Sequence, residues 1–132
     1  MDQLKMFVNG QAMSGGSLNS ALNNATFLGT ASTAPRYKFY SVRDEFPGLL
    51  PVERNGSTIT GELYEADYQT LREQLLPNEP PELELCVIDL ATGEGSLCMR
   101  MRDASVNAPG VVDITSYGGW RAYLEMKANH RD

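Results

Sequence analysis

One histidine, one tryptophan and two cysteines are all that these 132 residues hold of the side chains most used for metal ligation, nucleophilic relays and cross-linking. The lone histidine, His130, sits in a polar tail, Ala-Asn-His-Arg-Asp. It supports no Ser-His-Asp relay unless that tail folds back, and it leaves no zinc-ligand set. No metal and no cofactor are therefore expected. Cys86 and Cys98 are too few for a disulfide framework. With no secretory pattern over Met1–Gly10, they fit a reducing cytosol, so a cytoplasmic location is expected. No apolar run approaches the roughly 20 residues that span a bilayer. Basic residues are also scarce, 11 against 17 acidic, for a net charge of −6. No basic stripe with interleaved aromatics offsets this balance, so neither nucleic acid nor an anionic membrane is an expected partner. Chemistry is left to carboxylates, hydroxyls, side-chain amides and backbone N–H groups.

What is present reads as one α+β domain over residues 1–127, with residues 128–132 as the tail. Leu4–Val8 is predicted as a first strand, Asn9–Gly16 as a glycine-containing loop, and Leu18, Ala21, Leu22 and Ala25 as a helical stripe capped by Ser17. Thr26–Ala31 and Tyr37–Val42 read as strands, Phe46–Pro51 as a proline-bounded loop, and Asn55-Gly56 as a hairpin turn. In Thr58–Glu65 the residues alternate, with Thr60, Glu62 and Tyr64 on one face. Asp67 caps a short helix carrying Tyr68, Leu71 and Leu75. The two-residue period returns in Leu83–Leu90 and Ser96–Arg102. Folding these about Thr92 sets Leu85 against Met99, Val87 against Leu97, Cys86 against Cys98, Glu84 against Arg100 and Glu82 against Arg102. The last helix carries Trp120, Tyr123, Leu124 and Lys127 on one face, with Trp120 expected as a core anchor. Gly118 and Gly119 at its start point to a close backbone approach, and an ion pair from Arg121 to Glu125 is expected.

One loop has the makings of a site. Asn9-Gly10-Gln11-Ala12-Met13 lies between a strand and a helix, where backbone N–H groups can converge on a carboxylate; the plain alternative is an ordinary strand-to-helix connection. Tyr117, at the start of the last helix, either reaches such a pocket through its hydroxyl or packs as a turn aromatic. Met6, Met99 and Met101 read as core filling.

Asp113–Leu124, DITSYGGWRAYL, resembles the closing motif of the allophanate hydrolase C-terminal domain, which ends much like ISxxGGWRxYL. Phe7–Leu22, FVNGQAMSGGSLNSAL, resembles the opening of that domain and of the wider gamma-glutamylcyclotransferase-like superfamily, with its strand, YGTLMxG-type loop and helix. TAPRYKFYSV, FPGLLPV and ITGELYEAD follow in the family's order, so the resemblance runs over nearly the whole chain. It implies a small, partly closed mixed β-barrel or curved sheet with flanking helices. It also implies a pocket built from the first loop, the Pro47-Gly48-Leu49 loop and the segment after the second helix. Asn9, Gly10, Gln11, Ala12, Met13, Arg36, Gly48 and Tyr117 are then substrate-binding residues, and Glu79 is the catalytic acid or base; outside the resemblance, Glu79 reads as a solvated loop carboxylate and Arg36 as a surface charge. The chain departs from the family at Asn9 (usually Tyr), Gln11 (usually Ser or Thr), Pro80-Pro81 (in place of an EGY-type element) and Ser20 (in place of His in an LNHQL-type helix). The implied activity is loss of carbon dioxide from N-carboxycarbamate, a small carboxylate substrate, beside an amidase partner chain. Cyclisation of a gamma-glutamyl compound to 5-oxoproline, or a non-catalytic ligand-binding or interaction module, are the alternatives.

Overall fold

The computed structural model describes residues 3–129; His130, and with it the end of the polar tail, lies outside the described residues. Eight strands form two curved sheets. The five-stranded sheet has the order β2-β5-β1-β7-β6, built from β1 (Gln3–Val8), β2 (Thr26–Ser32), β5 (Thr60–Asp67), β6 (Leu83–Asp89) and β7 (Gly95–Met101). The three-stranded sheet has the order β4-β3-β8, from β3 (Tyr37–Val42), β4 (Phe46–Pro51) and β8 (Val111–Asp113). The central strand β1 is antiparallel to β5 and parallel to β7. Its Met6, Phe7 and Val8 are all buried, consistent with cover on both faces. Phe39, Leu49, Ile59, Leu75, Ile88 and Ile114 complete the main core.

The sheets do not close into a barrel. The two edges of the larger sheet meet only at one end, where Thr33 bridges Leu90 and Ala91 N–H donates to the Ser32 carbonyl. The β6–β7 hairpin has the register expected from its alternation, Leu85 opposite Met99 and Glu84 opposite Arg100. The outermost charges differ: Arg102 turns to Glu84 and the Pro81 carbonyl, while Glu82 pairs with Arg43 at 3.0 Å. Asp67 caps α1 (Tyr68–Thr70) by accepting from Thr70 N–H, as its sequence context implies. The chain then runs through a wide turn, Leu71–Leu75, and a tight one, Leu76–Asn78.

Three elements differ from the sequence reading. Phe46–Pro51 is a strand, paired with β3 across a turn at Arg43-Asp44. Pro47 and Pro51 are tolerated because β4 is an edge strand and their missing N–H groups interrupt no inner ladder. The helix expected from Ser17 to Ala25 shrinks to a single tight turn, Asn19–Leu22. Asparagine, serine and glycine hold helices weakly, and here Asn19 donates to the Ala12 carbonyl and to Tyr64 Oη instead. Asn55 adopts the expected left-handed turn conformation, but the strands it joins lie in different sheets, so no hairpin forms.

The second helix, α2 (Trp120–Asn129), buries Trp120 and Tyr123 and leaves Leu124 exposed. Its approach explains the glycine pair. Gly118, with φ of 74°, accepts from Thr60 N–H at 2.7 Å, and Gly119 bridges to Thr60 beside it. Among the described residues no helix is long and apolar enough to cross a membrane.

Candidate functional site

A cleft of about 260 Å³ opens where β1 ends. The loop after β1 supplies Asn9, Gly10, Gln11 and Ala12 along one wall; Glu45, Phe46 and Pro47 form the opposite wall. Glu79 and Pro80 close a third side, and Leu83 and Met99 supply apolar floor. The loop is wound tightly, with Met13 N–H on the Gly10 carbonyl and Leu18 N–H on the Gln11 carbonyl. The N–H groups of Gly10, Gln11 and Ala12 donate to nothing else among the described residues. An anion bound by them would displace no internal bond.

Glu79 is the unusual group. Three prolines, Pro77, Pro80 and Pro81, restrict its backbone, and its N–H closes the tight turn onto the Leu76 carbonyl. The side chain is half-buried, and no donor among the described residues bonds its carboxylate. Burial alone lifts the carboxyl from its ordinary 4.5 to about 7. The same crowding, reinforced by the neighbouring thiol of Cys86 and the carboxyl of Glu79, keeps the buried Cys98 thiol protonated well above its usual range. Cys98 accepts a long contact from Asn9 Nδ2 at 3.8 Å and, among the described residues, has no base beside it to make it a nucleophile. Across the cleft Glu45 is neutralised by Arg43, 2.8 Å away.

Of the residues expected to bind substrate, Asn9, Gly10, Gln11 and Ala12 line this cleft together with Glu79, whereas the others lie elsewhere. Met13 is buried behind the loop and faces a second cavity. Arg36 is exposed and pairs with Asp89 at 3.5 Å. Gly48 packs against Met101 in a satellite core, because β4 is a strand and turns its backbone inward there. Tyr117 stacks edge-on against Tyr123, with ring centres 5.4 Å apart, and lines the second cavity, of about 350 Å³. That cavity is the larger, but its charged residue, Arg121, is already paired. Ser20, at the position where the resemblance implied a histidine, is exposed and outside the cleft lining.

Gly10 is required for a reason other than ligand access. A Cβ there would stand 2.4 Å from Pro47 Cδ and 2.7 Å from Cγ, so glycine lets the two cleft walls touch. A proline ring cannot swing aside. Gly10→Ala is expected to force the walls apart, lowering stability by about 1–3 kcal/mol and weakening ligand binding by more than that alone would. Thermal melts beside ligand titration check both.

The network that holds the loop was not legible in the sequence. Glu62 on β5 is 3% exposed. It accepts from Ser14 N–H (2.7 Å), Ser14 Oγ (3.0 Å) and Tyr64 Oη (3.3 Å), and pairs with Arg121 Nη2 (3.1 Å). Burial pushes its carboxyl up, but the Ser14 donors and Arg121 pull it further down, below the ordinary range. Arg121 also donates to the Ser14 carbonyl, so its partners are Glu62 and Ser14, not Glu125. The one trace of this in the sequence is a glutamate on the face that Tyr64 also occupies.

The family model described as the allophanate hydrolase C-terminal domain matches residues 4–125. A urea amidolyase of Saccharomyces cerevisiae (strain ATCC 204508 / S288c) is 34% identical over 108 residues, covering 78% of this chain and 6% of that protein. The chain thus spans a small fraction of the curated relatives it matches. The solved structure of SeMet-substituted Kluyveromyces lactis allophanate hydrolase superposes with a TM-score of 0.89 at 28% identity, over 96% of this chain and 22% of the other. A uropathogenic E. coli-specific protein superposes with a TM-score of 0.87 at 27% identity over the whole of both chains. The fold is the curved α+β arrangement of the gamma-glutamylcyclotransferase-like kind.

Proposed function

This chain belongs to the allophanate hydrolase C-terminal domain family, and from that membership and the cleft at Glu79 we propose that it decarboxylates a small carboxylated carbamoyl compound of the N-carboxycarbamate type. The observation that carries this reading is an unpaired carboxyl, raised to about 7, in the same cleft as three unused backbone N–H groups. The loop amides receive one carboxylate of the substrate and hold it without a counter-charge that would oppose its departure as neutral carbon dioxide. Glu79, which carries its proton below about pH 7, donates that proton to the substrate nitrogen as the C–N bond to the leaving carboxylate breaks. The bonding pair goes to nitrogen, carbon dioxide leaves, carbamate remains, and solvent reprotonates Glu79. A general acid works best with its pKa near the working pH, which is where this cleft puts Glu79. An amidase acting on allophanate would supply the substrate.

The test couples the purified protein to an amidase-only allophanate hydrolase and follows carbon dioxide release against pH. Release should accelerate, and the acceleration should fall as pH rises through about 7, because the acid form is the active one. No acceleration at any pH removes the proposal. A rate that instead rises through 7, with 5-oxoproline formed from gamma-glutamyl dipeptides, would make Glu79 a base and the reaction a cyclisation.

A further inference from the structure

Helix α2 lines the second cavity rather than the cleft, yet it bonds the residues that adjoin both cleft walls, Ser14 and Asp44. Arg121 and Tyr123 are two residues apart, about 200° around a helix, so they leave opposite flanks of the buried Trp120. On one flank Arg121 bonds the Ser14 carbonyl and pairs with Glu62, which itself holds Ser14 by two further bonds. Ser14 ends the loop whose amides line the cleft. On the other flank Tyr123 Oη donates to Asp44 Oδ1 at 2.6 Å, and Lys127 Nζ, one turn on, pairs with Asp44 Oδ2 at 2.6 Å. Asp44 and Arg43 form the β3–β4 turn, both at positive φ (57° and 53°), a conformation that non-glycine residues hold only when their surroundings impose it. The next residues along, Glu45, Phe46 and Pro47, are the opposite wall. Gln11 Nε2 donates to the Glu45 carbonyl and links the two walls directly.

We propose that α2 is a brace that sets the width of the cleft: Arg121 fixes the amide-bearing loop through Ser14 and Glu62, while Tyr123 and Lys127 fix the Asp44 turn that carries the facing wall. These are positioning residues, and the inference rests on the proposed function only for its activity readout.

Tyr123→Phe and Arg121→Lys keep the ring packing and the charge while removing the hydroxyl bond and the two-sided guanidinium contact. Amide hydrogen exchange on the free proteins should rise about tenfold at residues 43–45 in the first variant and at the hydrogen-bonded loop amides of Met13, Ser14 and Gly16 in the second, with β1, β5 and β7 little changed. Malonate, a carbon isostere of the proposed substrate, should bind each variant several-fold more weakly. The variants should raise KM more than they lower kcat and leave the pH limb where it is in the parent. Unchanged exchange in both segments overturns the brace, and so does a uniform rise across the sheet with a lowered Tm. If the parent neither binds malonate nor releases carbon dioxide while the local exchange changes still occur, the proposed function falls and the brace stands.

Discussion

Glu79→Gln should abolish most of the activity and make the protein more stable. A positioned acid contributes about 10²–10⁴-fold in rate, so kcat should fall within that range, and the pH limb near 7 should vanish with it. The stability half follows from linkage. The carboxyl titrates near 4.5 when unfolded and at about 7 when folded. The folded state therefore holds the proton more tightly, and stability is lost as pH rises from 4.5 through 7, with the full penalty present above that. At about 1.4 kcal/mol per unit the shift is worth about 3 kcal/mol, and because the group is only half-buried, about 2 kcal/mol is the expected gain in the variant at pH 8. For a chain of this size that is a rise in Tm of about 7 °C. Below pH 4.5 the parent and variant should melt together. Parallel melts at pH 4 and pH 8 separate this from a general packing effect; a variant no more stable at pH 8 than the parent would mean that Glu79 is well solvated, and the acid role would go with it.

Glu62→Ala should be the most damaging single change. Removing one partner of a buried pair costs about 3–5 kcal/mol, because what is left behind is buried and unmatched. Here the residue left is not only Arg121, whose outer half can hydrate, but Ser14 N–H, Ser14 Oγ and Tyr64 Oη, which lose their common acceptor. The double variant Glu62→Leu with Arg121→Met should cost much less than the sum of its parts. Since the carboxyl lies below its ordinary range, its contribution is present above pH 4.5 and is lost as pH falls through the folded value. Denaturant melts of the two single variants and the double one, at neutral and acid pH, measure these terms.

Local patterning was legible where its physics is local. Alternation and opposed charges specified the β6–β7 register, and the Asp67 cap announced α1. The first loop and Glu79 could be named as candidate site residues because a resemblance lined them up. What no stretch of sequence carried was which of them would meet. Arg36, Gly48 and Tyr117 were expected beside the loop, but the two-sheet arrangement takes Arg36 to Asp89, Gly48 onto Met101 and Tyr117 onto Tyr123. The helix stripe from Leu18 to Ala25 was real as an apolar pattern, yet Asn19 found better partners across the fold than along its own chain.

The residues alone thus determined the strands other than β4 and β8, the one short helix with its cap and the acidic, histidine-poor chemistry available, since each depends on neighbours a few positions away. Tertiary structure decided the rest. A carboxyl is raised only when apolar groups from distant strands exclude water from it, and the Glu62–Arg121 pair joins residues 59 positions apart in the chain. Desolvation is a property of the assembled cleft, and no segment possesses it before the sheets come together.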